Sequence, residues 1–361
     1  MKKIGLFAIL ALWLGLSVFA WVRPSDEISE SERRKLQLLP AISGKELLSG
    51  QWMEDFESYA LDQFPLRDGF RRVKALVHYN LLGQKDNNGI YIADGYAAKL
   101  EYPLYENSLT NALEKFQKLY DQYLTESKVF FSVVPDKGFF LAEANGYPAM
   151  DYEVLRGAIT GGMPWAEFVD ISGDLTLESY YKTDTHWRQE KLLGVAQKLC
   201  EALETGAFEQ GELVPEVLER PFYGVYYGQA ALPMDAEQMY VMDHEILKNC
   251  TVYNHENGKT TGIYDWSKLE SQDLYDVFLS GAAALLTIEN PAGEPGKELI
   301  VFRDSYGSSL IPLLVKDYAT VTVIDTRYVA PDLLSRFVDF HGQDVLMLYS
   351  TLLLNNSFSL K

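Results

Sequence analysis

Short, predominantly apolar runs alternate with amphipathic stretches through the central and C-terminal parts of the chain. The apolar runs have four to six residues and are rich in Val, Ile and Phe, which is typical of buried strands. They lie at 129–134, 168–171, 299–302, 321–324 and 345–349. Apolar residues recur at helical spacing in 109–124, 189–203, 308–318 and 331–340. This alternation predicts an α/β fold with a mostly parallel sheet that has helices on both faces.

Two other parts of the chain show different patterns. Residues 45–82 have helical periodicity with a break at Phe64-Pro65, and Gly89 to Tyr96 resembles a hairpin whose turn is Asp94-Gly95. Residues from about 205 to 296 are rich in Gly, Tyr and Asp and have little periodicity outside 269–279. We interpret this last segment as an insertion or lid beside the edge of the sheet.

The N-terminus has the pattern of an export segment. Met1-Lys2-Lys3 precedes an apolar run from Ile4 to Val22, so residues 1–22 are interpreted as a signal or membrane anchor. The run is near the lower limit for spanning a bilayer, and Val18-Phe19-Ala20 resembles a cleavage site, so both fates stay open. The polar residues 23–44 are expected to form a tether, followed by a domain at 45–361 that is extracytoplasmic.

Composition narrows the possible functions. The net charge of −19 offers no basic excess to neutralise phosphates, so nucleic acid is not expected as a partner. The 23 tyrosines and 6 tryptophans fit either stacking on sugar rings or packing in the core. The chain has two cysteines, Cys200 and Cys250, whose pairing stays open and which do not suggest a structural zinc site.

Ser305 lies where an apolar strand gives way to polar residues. The sequence Phe302-Arg303-Asp304-Ser305-Tyr306-Gly307 follows the predicted strand at 299–302 and precedes a helical stretch. A serine at the carboxyl end of such a strand can act as a nucleophile if a base removes its proton and backbone N–H groups of the turn stabilise the oxyanion. Alternatively, Asp304 or Ser305 merely caps the helix that follows.

His186 is the candidate base. In Thr183-Asp184-Thr185-His186-Trp187, residues 184 and 186 point to the same side of an extended segment, so the Asp184 carboxylate can orient the imidazole. His341 is the other plausible base. Alternatively, His186 is a loop histidine paired with a surface aspartate, or Asp184 and His186 ligate a metal, although no further ligand spacing supports a metal. Neither a metal nor a cofactor is expected.

Other polar residues follow predicted strands and are candidates for binding substrate or stabilising an oxyanion. They are Lys137 after the strand at 129–134, Tyr306 beside the serine, and Arg327 and Tyr328 after the strand at 321–324. Sites in open α/β sheets gather at the carboxyl ends of the strands. Each of these residues could equally be part of a surface salt bridge or a turn.

Seven stretches in the same order resemble the DHHW-type proteins, a group related to the alginate O-acetylation proteins with their SGNH-hydrolase-like domain. They are Ser31-Glu32-Arg33-Arg34 with Leu36 and Pro40, Asp62-Gln63-Phe64-Pro65-Leu66-Arg67-Asp68, Gly89-Ile90-Tyr91-Ile92 with Gly95, Val134-Pro135-Asp136-Lys137, Tyr181-Lys182-Thr183-Asp184-Thr185-His186-Trp187, Phe302-Arg303-Asp304-Ser305-Tyr306, and Ile324-Asp325-Thr326-Arg327-Tyr328. Together they span nearly all of the chain beyond its N-terminal segment.

The resemblance implies a catalytic Asp-x-His pair that precedes the serine, here Asp184, His186 and Ser305. It also implies a Rossmann-like sheet that is circularly permuted relative to ordinary SGNH hydrolases. The eponymous Asp-His-His-Trp reads Asp184-Thr185-His186-Trp187, so the first histidine is absent while the Asp-x-His spacing is kept. A carbohydrate-binding module of the kind that some alginate relatives carry is not evident.

Two functions from different classes remain at this stage. In the first, Ser305 accepts an acyl group, most simply acetyl, and passes it to a hydroxyl of a cell-surface or exported polysaccharide, or to water as an esterase. This enzyme would need a membrane partner that delivers acyl groups. In the second, the same fold is a catalytically inactive scaffold that binds glycan or protein.

Overall fold

A computed structural model describes residues 2–29 and 31–361 of the chain. The chain forms two compact units. The first, called the N-terminal unit, comprises the described residues up to Gly89 together with Tyr227–Met234. The second, called the sheet unit, comprises Ile90–Tyr226 and Asp235–Lys361. The predicted boundaries at residues 22 and 44 both lie within the N-terminal unit.

The N-terminal unit is mainly helical. Its elements are α1 (Lys2–Val22), β1 (Ile28–Ser29), β2 (Arg34–Lys35), α2 (Gly44–Ser49), α3 (Gln51–Asp62) and α4 (Arg67–Leu76), with one π-helical turn at Val77–Leu81. The predicted break between the helices is present, because α3 ends at Asp62 and Leu66 has a left-handed backbone conformation with φ of 58°. None of the helices within 2–29 and 31–361 is long and apolar enough to cross a membrane.

The sheet unit begins with the predicted hairpin. Strands β3 (Ile90–Ala93) and β4 (Tyr96–Lys99) pair antiparallel, and the two turn residues, Asp94 and Gly95, have φ of 48° and 80°. Positive φ at both central positions defines the type I′ turn, whose twist matches that of the flanking strands.

The central sheet of this unit has eight strands. The remaining strands of the unit are β5 (Val129–Val134), β6 (Ala166–Phe168), β7 (Val214–Val217), β8 (Tyr240–Asp243), β9 (Thr251–Asn254), β10 (Lys259–Thr261), β11 (Leu285–Glu289), β12 (Glu294–Arg303), β13 (Tyr318–Ile324) and β14 (Asp344–Ser350). The order in the central sheet is β10-β9-β11-β13-β12-β14-β5-β6. The five strands from β13 to β6 are parallel, and β9, β10 and β11 are antiparallel.

Helices cover both faces of the parallel strands. The remaining α-helices are α5 (Glu106–Leu119), α6 (Gly138–Leu141), α7 (Tyr152–Gly162), α8 (Leu193–Ala202), α9 (Val225–Ala230), α10 (Glu245–Asn249), α11 (Gly307–Leu310) and α12 (Thr351–Leu354). In β14, Leu346 and Leu348 belong to the apolar cluster that includes α8, whereas Val345 and Met347 belong to the cluster that includes α5 and α7. Each fully buried side chain of this kind stabilises the fold by roughly 1.5–3 kcal/mol. The predicted α/β class with a mostly parallel sheet is confirmed.

Several predicted elements have different bounds, for local reasons. The strand expected at 168–171 ends at Phe168, because the Asp170 carboxylate accepts hydrogen bonds from the backbone N–H and hydroxyl of Ser172 and forms a turn. The helix expected at 308–318 is short: α11 is followed by a 3₁₀ turn at Ile311–Leu314, where Pro312 lacks the N–H that an α-helix needs. Similarly, 331–340 forms a 3₁₀ helix at Pro331–Arg336.

The segment at about 205–296, interpreted from the sequence as an insertion or lid, contributes to the sheet itself. Strands β9, β10 and β11 extend the central sheet beyond β13, while β7 and β8 form a separate antiparallel pair. The 3₁₀ helix Leu274–Val277 lies between β10 and β11 in the chain and carries a tyrosine that belongs to the site described below.

Candidate active site

The turn after β12 is held in place by Asp304. Its carboxylate accepts the Tyr306 N–H at 3.0 Å and the Ser350 N–H at 2.9 Å, which ties this turn to the end of the parallel neighbour β14. The N-cap of α11 is Tyr306 and receives no side-chain hydrogen bond, so Asp304 closes the turn before the helix rather than capping the helix, and Ser305 does not cap it either. Ser305, the next residue, is partly exposed, and its hydroxyl is available for a different contact.

The structure brings Ser305, His186 and Asp184 together in one hydrogen-bonded row. The Ser305 Oγ lies 2.8 Å from His186 Nε2, and His186 Nδ1 lies 2.7 Å from Asp184 Oδ1. Asp184 and His186 are buried, while Ser305 faces the solvent side of the row. In this arrangement Nδ1–H donates to the carboxylate, which leaves Nε2 as an acceptor for the serine proton.

Asp184 is fixed by backbone groups as well as by the imidazole. Its Oδ1 accepts the His186 N–H at 2.9 Å, and its Oδ2 accepts the Val225 N–H at 2.8 Å. Gly224 makes this approach possible: a Cβ at position 224 would lie 2.2 Å from the Asp184 Cβ. Only glycine lets the backbone at 224–225 come so close to the carboxylate.

Tyr275 is a site residue that the sequence analysis missed. Its ring stacks on the His186 imidazole with centroids 4.0 Å apart and planes inclined by 8°, and its hydroxyl donates to Ser309 Oγ at 2.8 Å. Tyr275, like Gly224, comes from the segment at about 205–296. No local spacing marked either residue, because their role depends on contacts with residues far away in the chain.

Tyr306, one of the substrate or oxyanion candidates, is buried beside the imidazole. Its ring meets that of His186 at 61° with centroids 5.2 Å apart, and its hydroxyl donates to the Thr185 carbonyl at 2.7 Å. The Thr185 hydroxyl lies 3.1 Å from the Tyr306 hydroxyl and accepts from that of Tyr226 at 3.0 Å. Trp187 donates its Nε1–H to the Tyr306 carbonyl at 2.9 Å. Tyr306 thus holds the histidine loop against the serine turn.

Lys137 braces the other end of the same loop. Its buried Nζ donates to the carbonyls of Tyr181 at 2.9 Å and Lys182 at 3.2 Å. Burial lowers the pKa of Lys137 to about 7, although the nearby carboxylates of Asp184, Glu237 and Asp136 act in the opposite direction. Lys137, which follows β5, thus uses its side-chain nitrogen to hold the backbone of the loop before Asp184.

Arg327 and Tyr328, the other two candidates, lie after β13. The Arg327 guanidinium pairs with both oxygens of Asp325, at 2.9 and 2.6 Å. Burial acts to lower the pKa of Arg327, but the hydrogen bonds and charge of this carboxylate outweigh it and raise the pKa above its ordinary value. Tyr328 is exposed, and its ring centre lies 5.3 Å from the Arg327 guanidinium carbon. The structure thus gives Arg327 a carboxylate partner and leaves Tyr328 open to solvent.

The three N–H groups that follow Ser305 are used within the turn. Tyr306 N donates to Asp304 Oδ1, Gly307 N donates to the Asp304 carbonyl at 3.1 Å, and Ser308 N donates to the Ser305 carbonyl at 3.2 Å. The oxyanion donors expected from this turn are therefore engaged in the structure, and an incoming oxyanion would have to compete for them.

The sequence left two alternatives open: His341 as the base, and a metal site that includes Asp184 and His186. His341 follows Asp339 at the spacing that relates His186 to Asp184, but both side chains are exposed, and the His341 Nδ1 lies 3.2 Å from the Asp339 carbonyl. Within the described part of the chain, no group of three His, Cys, Asp or Glu side chains is arranged to hold a metal ion.

The fold and the position of the site indicate the class of protein that this chain resembles. A serine on the turn after a parallel strand, with an Asp-x-His pair earlier in the chain, is the order of residues that the resemblance to DHHW-type proteins implied. Residues 176–324 match the model of the DHHW protein family, and this stretch contains Asp184, His186 and Ser305. The resemblance to DHHW-type proteins is confirmed.

Solved structures share this fold at low sequence identity. A DHHW family protein from Eubacterium siraeum matches with a TM-score of 0.61 and 21% identity, over 76% of this chain and 95% of that one. PatB1 from Bacillus cereus matches with a TM-score of 0.58 and 15% identity, over 73% and 96%. The structure of PatB1 with a sulfonyl adduct matches with a TM-score of 0.57 and 13% identity, over 73% and 95%. No curated protein matches the sequence significantly.

Proposed function

We propose that this chain is an extracytoplasmic serine acyl-transfer enzyme that places an acetyl group on, or removes it from, a hydroxyl of a cell-surface or exported polysaccharide. The observation that carries this proposal is the hydrogen-bonded row from Ser305 through His186 to Asp184, with spacings of 2.8 and 2.7 Å. Nucleophile, base and orienting carboxylate are within the distances that acyl transfer requires.

The reaction would proceed in two halves. In the first, Ser305 Oγ attacks the acyl carbonyl carbon while its proton passes to His186 Nε2, and the departing group takes that proton as its bond to the acyl carbon breaks. In the second, a hydroxyl of the acceptor, sugar or water, gives its proton to Nε2 as its oxygen attacks the acyl-serine. The proton then returns to Ser305 Oγ. Asp184 stabilises the imidazolium formed in each half.

The polysaccharide acceptor and the membrane setting rest on other grounds. The acceptor comes from the resemblance to the alginate O-acetylation proteins, and the location follows from the export pattern of residues 1–22, whether cleaved or kept as an anchor. An acetyl donor on the far side of a membrane would require a membrane partner that delivers the group. N-terminal sequencing of the chain recovered from cell fractions would decide between anchor and cleaved signal.

The direct test compares Ser305→Ala with Ser335→Ala, an exposed serine outside the site. With 4-nitrophenyl acetate, we expect Ser305→Ala to lose roughly 10³-fold or more of kcat/KM and Ser335→Ala to be unchanged. Because a sulfonyl adduct is recorded for the fold neighbour PatB1, a sulfonyl fluoride is a suitable probe, and intact mass should show labelling that depends on Ser305.

The outcomes separate the proposed activities. Equal turnover by Ser305→Ala and the unchanged chain would contradict the triad assignment. Absence of turnover and of labelling in the unchanged chain, with glycan binding that is insensitive to Ser305→Ala, would instead support the scaffold function. An added oligosaccharide with free hydroxyls distinguishes a transferase from an esterase. A transferase increases the mass of the oligosaccharide by one acetyl group, whereas an esterase leaves its mass unchanged.

A further inference from the structure

One side of α4 and the turn after it carries an apolar stripe that the N-terminal unit does not bury. Phe70, Val73 and Val77 follow one another at intervals of three or four residues, so they lie along one side of the helix. Leu66, directly before α4, and Leu81, in the π-helical turn after it, continue the apolar spacing. In chain order, the exposed fractions of these five side chains are 71, 51, 59, 39 and 77%. An exposed apolar surface of this regularity indicates an interaction site.

The opposite side of the same helix already has its partners within the unit. Ala75 is buried, and Arg71 donates to the Gly228 carbonyl at 2.8 Å and pairs with Glu32 at 3.1 Å. These contacts hold α4 in the unit, and on the other side Phe70 contacts Phe64 while most of the stripe stays exposed. The stripe therefore needs an explanation other than the stability of this unit.

The charge around the stripe differs from that of the whole chain. Residues 65–85 contain five basic side chains and one acidic side chain, although the complete chain has a net charge of −19. The basic residues are Arg67, Arg71, Arg72, Lys74 and Lys85. Arg67 and Arg71 both pair with Glu32, whereas Lys74 lies on the helix directly beside the stripe. An apolar stripe bordered by basic residues is complementary to a membrane surface with anionic headgroups.

A second apolar element of the unit is continuous with the stripe. Helix α1 exposes Leu6, Phe7, Leu10 and Leu14, among other apolar side chains. The rings of Trp13 in α1 and Phe64 are 6.2 Å apart, and those of Phe64 and Phe70 are 5.4 Å apart. This row of aromatic contacts joins α1 to the stripe, so a lipid bilayer that contacts α1 also contacts the stripe.

We propose that the stripe on α4 lies in the interface of an anionic lipid bilayer, parallel to the membrane plane, with Phe70, Val73 and Val77 among the acyl chains. Such contact requires an amphipathic helix and no further membrane span. It would hold the N-terminal unit against the lipid surface. The proposal does not depend on acyl transfer by Ser305, and each can fail alone.

Site-specific fluorescence on the full-length chain tests this placement. Val77→Cys places a bimane label on the stripe, and Asp68→Cys, half a turn of the helical wheel away, is the matched control. The native Cys200 and Cys250 are buried with pKa values raised to about 12, so they react slowly at neutral pH. The labelled chains are reconstituted into phosphatidylglycerol vesicles that carry a nitroxide near the top of the acyl chain.

We expect a roughly twofold loss of emission and a blue shift for the label at 77, and neither change for the label at 68. Phosphatidylcholine vesicles should quench the label at 77 less, because they lack the anionic charge. Equal quenching at both positions, or none at 77, overturns the proposal. A blue shift at 77 that appears in native membranes but not in the phosphatidylglycerol vesicles also overturns the proposal and assigns the stripe to a membrane protein. Circular dichroism of both variants establishes that they fold.

Discussion

The imidazole of His186 is held on three sides by groups from different parts of the chain. Asp184 binds Nδ1, Tyr275 stacks on one face at 4.0 Å, and Tyr306 meets the ring edge-on. In the proposed acyl transfer, the base must point its Nε2 at the serine through both halves of the reaction, so we expect the orientation of the ring to affect the rate. Residues that fix the ring without touching the substrate are positioning residues.

Replacing Tyr275 tests this positioning role. Tyr275→Leu removes the stack and should lower kcat for 4-nitrophenyl acetate by about two- to tenfold, with KM nearly unchanged, since an aromatic pair is worth about 0.5–1.5 kcal/mol. Tyr275→Phe keeps the stack, loses the hydrogen bond to Ser309, and should retain most of kcat. If Phe is as damaging as Leu, the hydroxyl rather than the ring matters.

Gly224 provides a second test at the residue scale. A Cβ at this position would lie 2.2 Å from the Asp184 Cβ, so Gly224→Ala must displace either Asp184 or the 224–225 backbone. We expect a loss of activity of tenfold or more and a decrease of about 1–3 kcal/mol in the free energy of unfolding. Gly194→Ala, where an added Cβ meets nothing within 4 Å, is the control: it should leave the activity unchanged and, because Gly194 lies in α8, raise the free energy of unfolding by at most about 1 kcal/mol.

At the scale of elements, the site is an edge where loops from several strands are tied together. Asp304 links the turn after β12 to the end of β14, and Lys137 links the end of β5 to the loop before Asp184. Parallel strands place their carboxyl ends at one edge, and these two buried polar residues convert that proximity into fixed distances. The positions of the three catalytic candidates therefore depend on the sheet through intermediate side chains.

Lys137 makes the stability of this edge depend on pH. Burial lowers its pKa to about 7 in the folded chain, whereas in the unfolded chain the side chain has the ordinary lysine pKa of 10.5. Between these values the unfolded state binds more protons, so the contribution of Lys137 to the free energy of unfolding rises with pH, by at most about 1.4 kcal/mol per unit. Below pH 7 both states are protonated and the contribution no longer changes.

Denaturant unfolding at several pH values between 7.5 and 9.5 measures this contribution. Lys137→Met cannot titrate, so its free energy of unfolding should rise less steeply with pH than that of the unchanged chain. The substitution also removes two hydrogen bonds, which lowers the free energy of unfolding. The slopes with pH are therefore compared rather than the free energies themselves. Identical slopes would show that Lys137 does not carry a depressed pKa.

At the scale of the whole molecule, the fold is built on a large core rather than on covalent links. Cys200 and Cys250 are separate buried thiols, and burial raises the pKa of each to about 12. We expect the thermal midpoint to be the same with and without reductant. A thiol reagent should find two reactive groups in denaturant and almost none in the native chain. A fall in the midpoint on reduction would indicate a disulfide.

The α/β class followed from periodicity alone, because short apolar strands and amphipathic helices repeat in local patterns. The three catalytic candidates were recognisable for a similar reason: Asp184 and His186 are neighbours in sequence, and Ser305 follows a strand. The bounds of β6 and α11 were wrong because Asp170 and Pro312 end these elements through a turn and a missing N–H, which periodicity does not detect.

By itself, the sequence determined the fold class, the order of Asp184, His186 and Ser305, and the resemblance to DHHW-type proteins, since each of these is a local or ordered pattern. Only the tertiary structure decided that Lys137 and Tyr306 support the loop that carries Asp184 and His186, and that Gly224 and Tyr275 belong beside the imidazole. Those roles arise from contacts between residues tens of positions or more apart, and packing rather than spacing creates them.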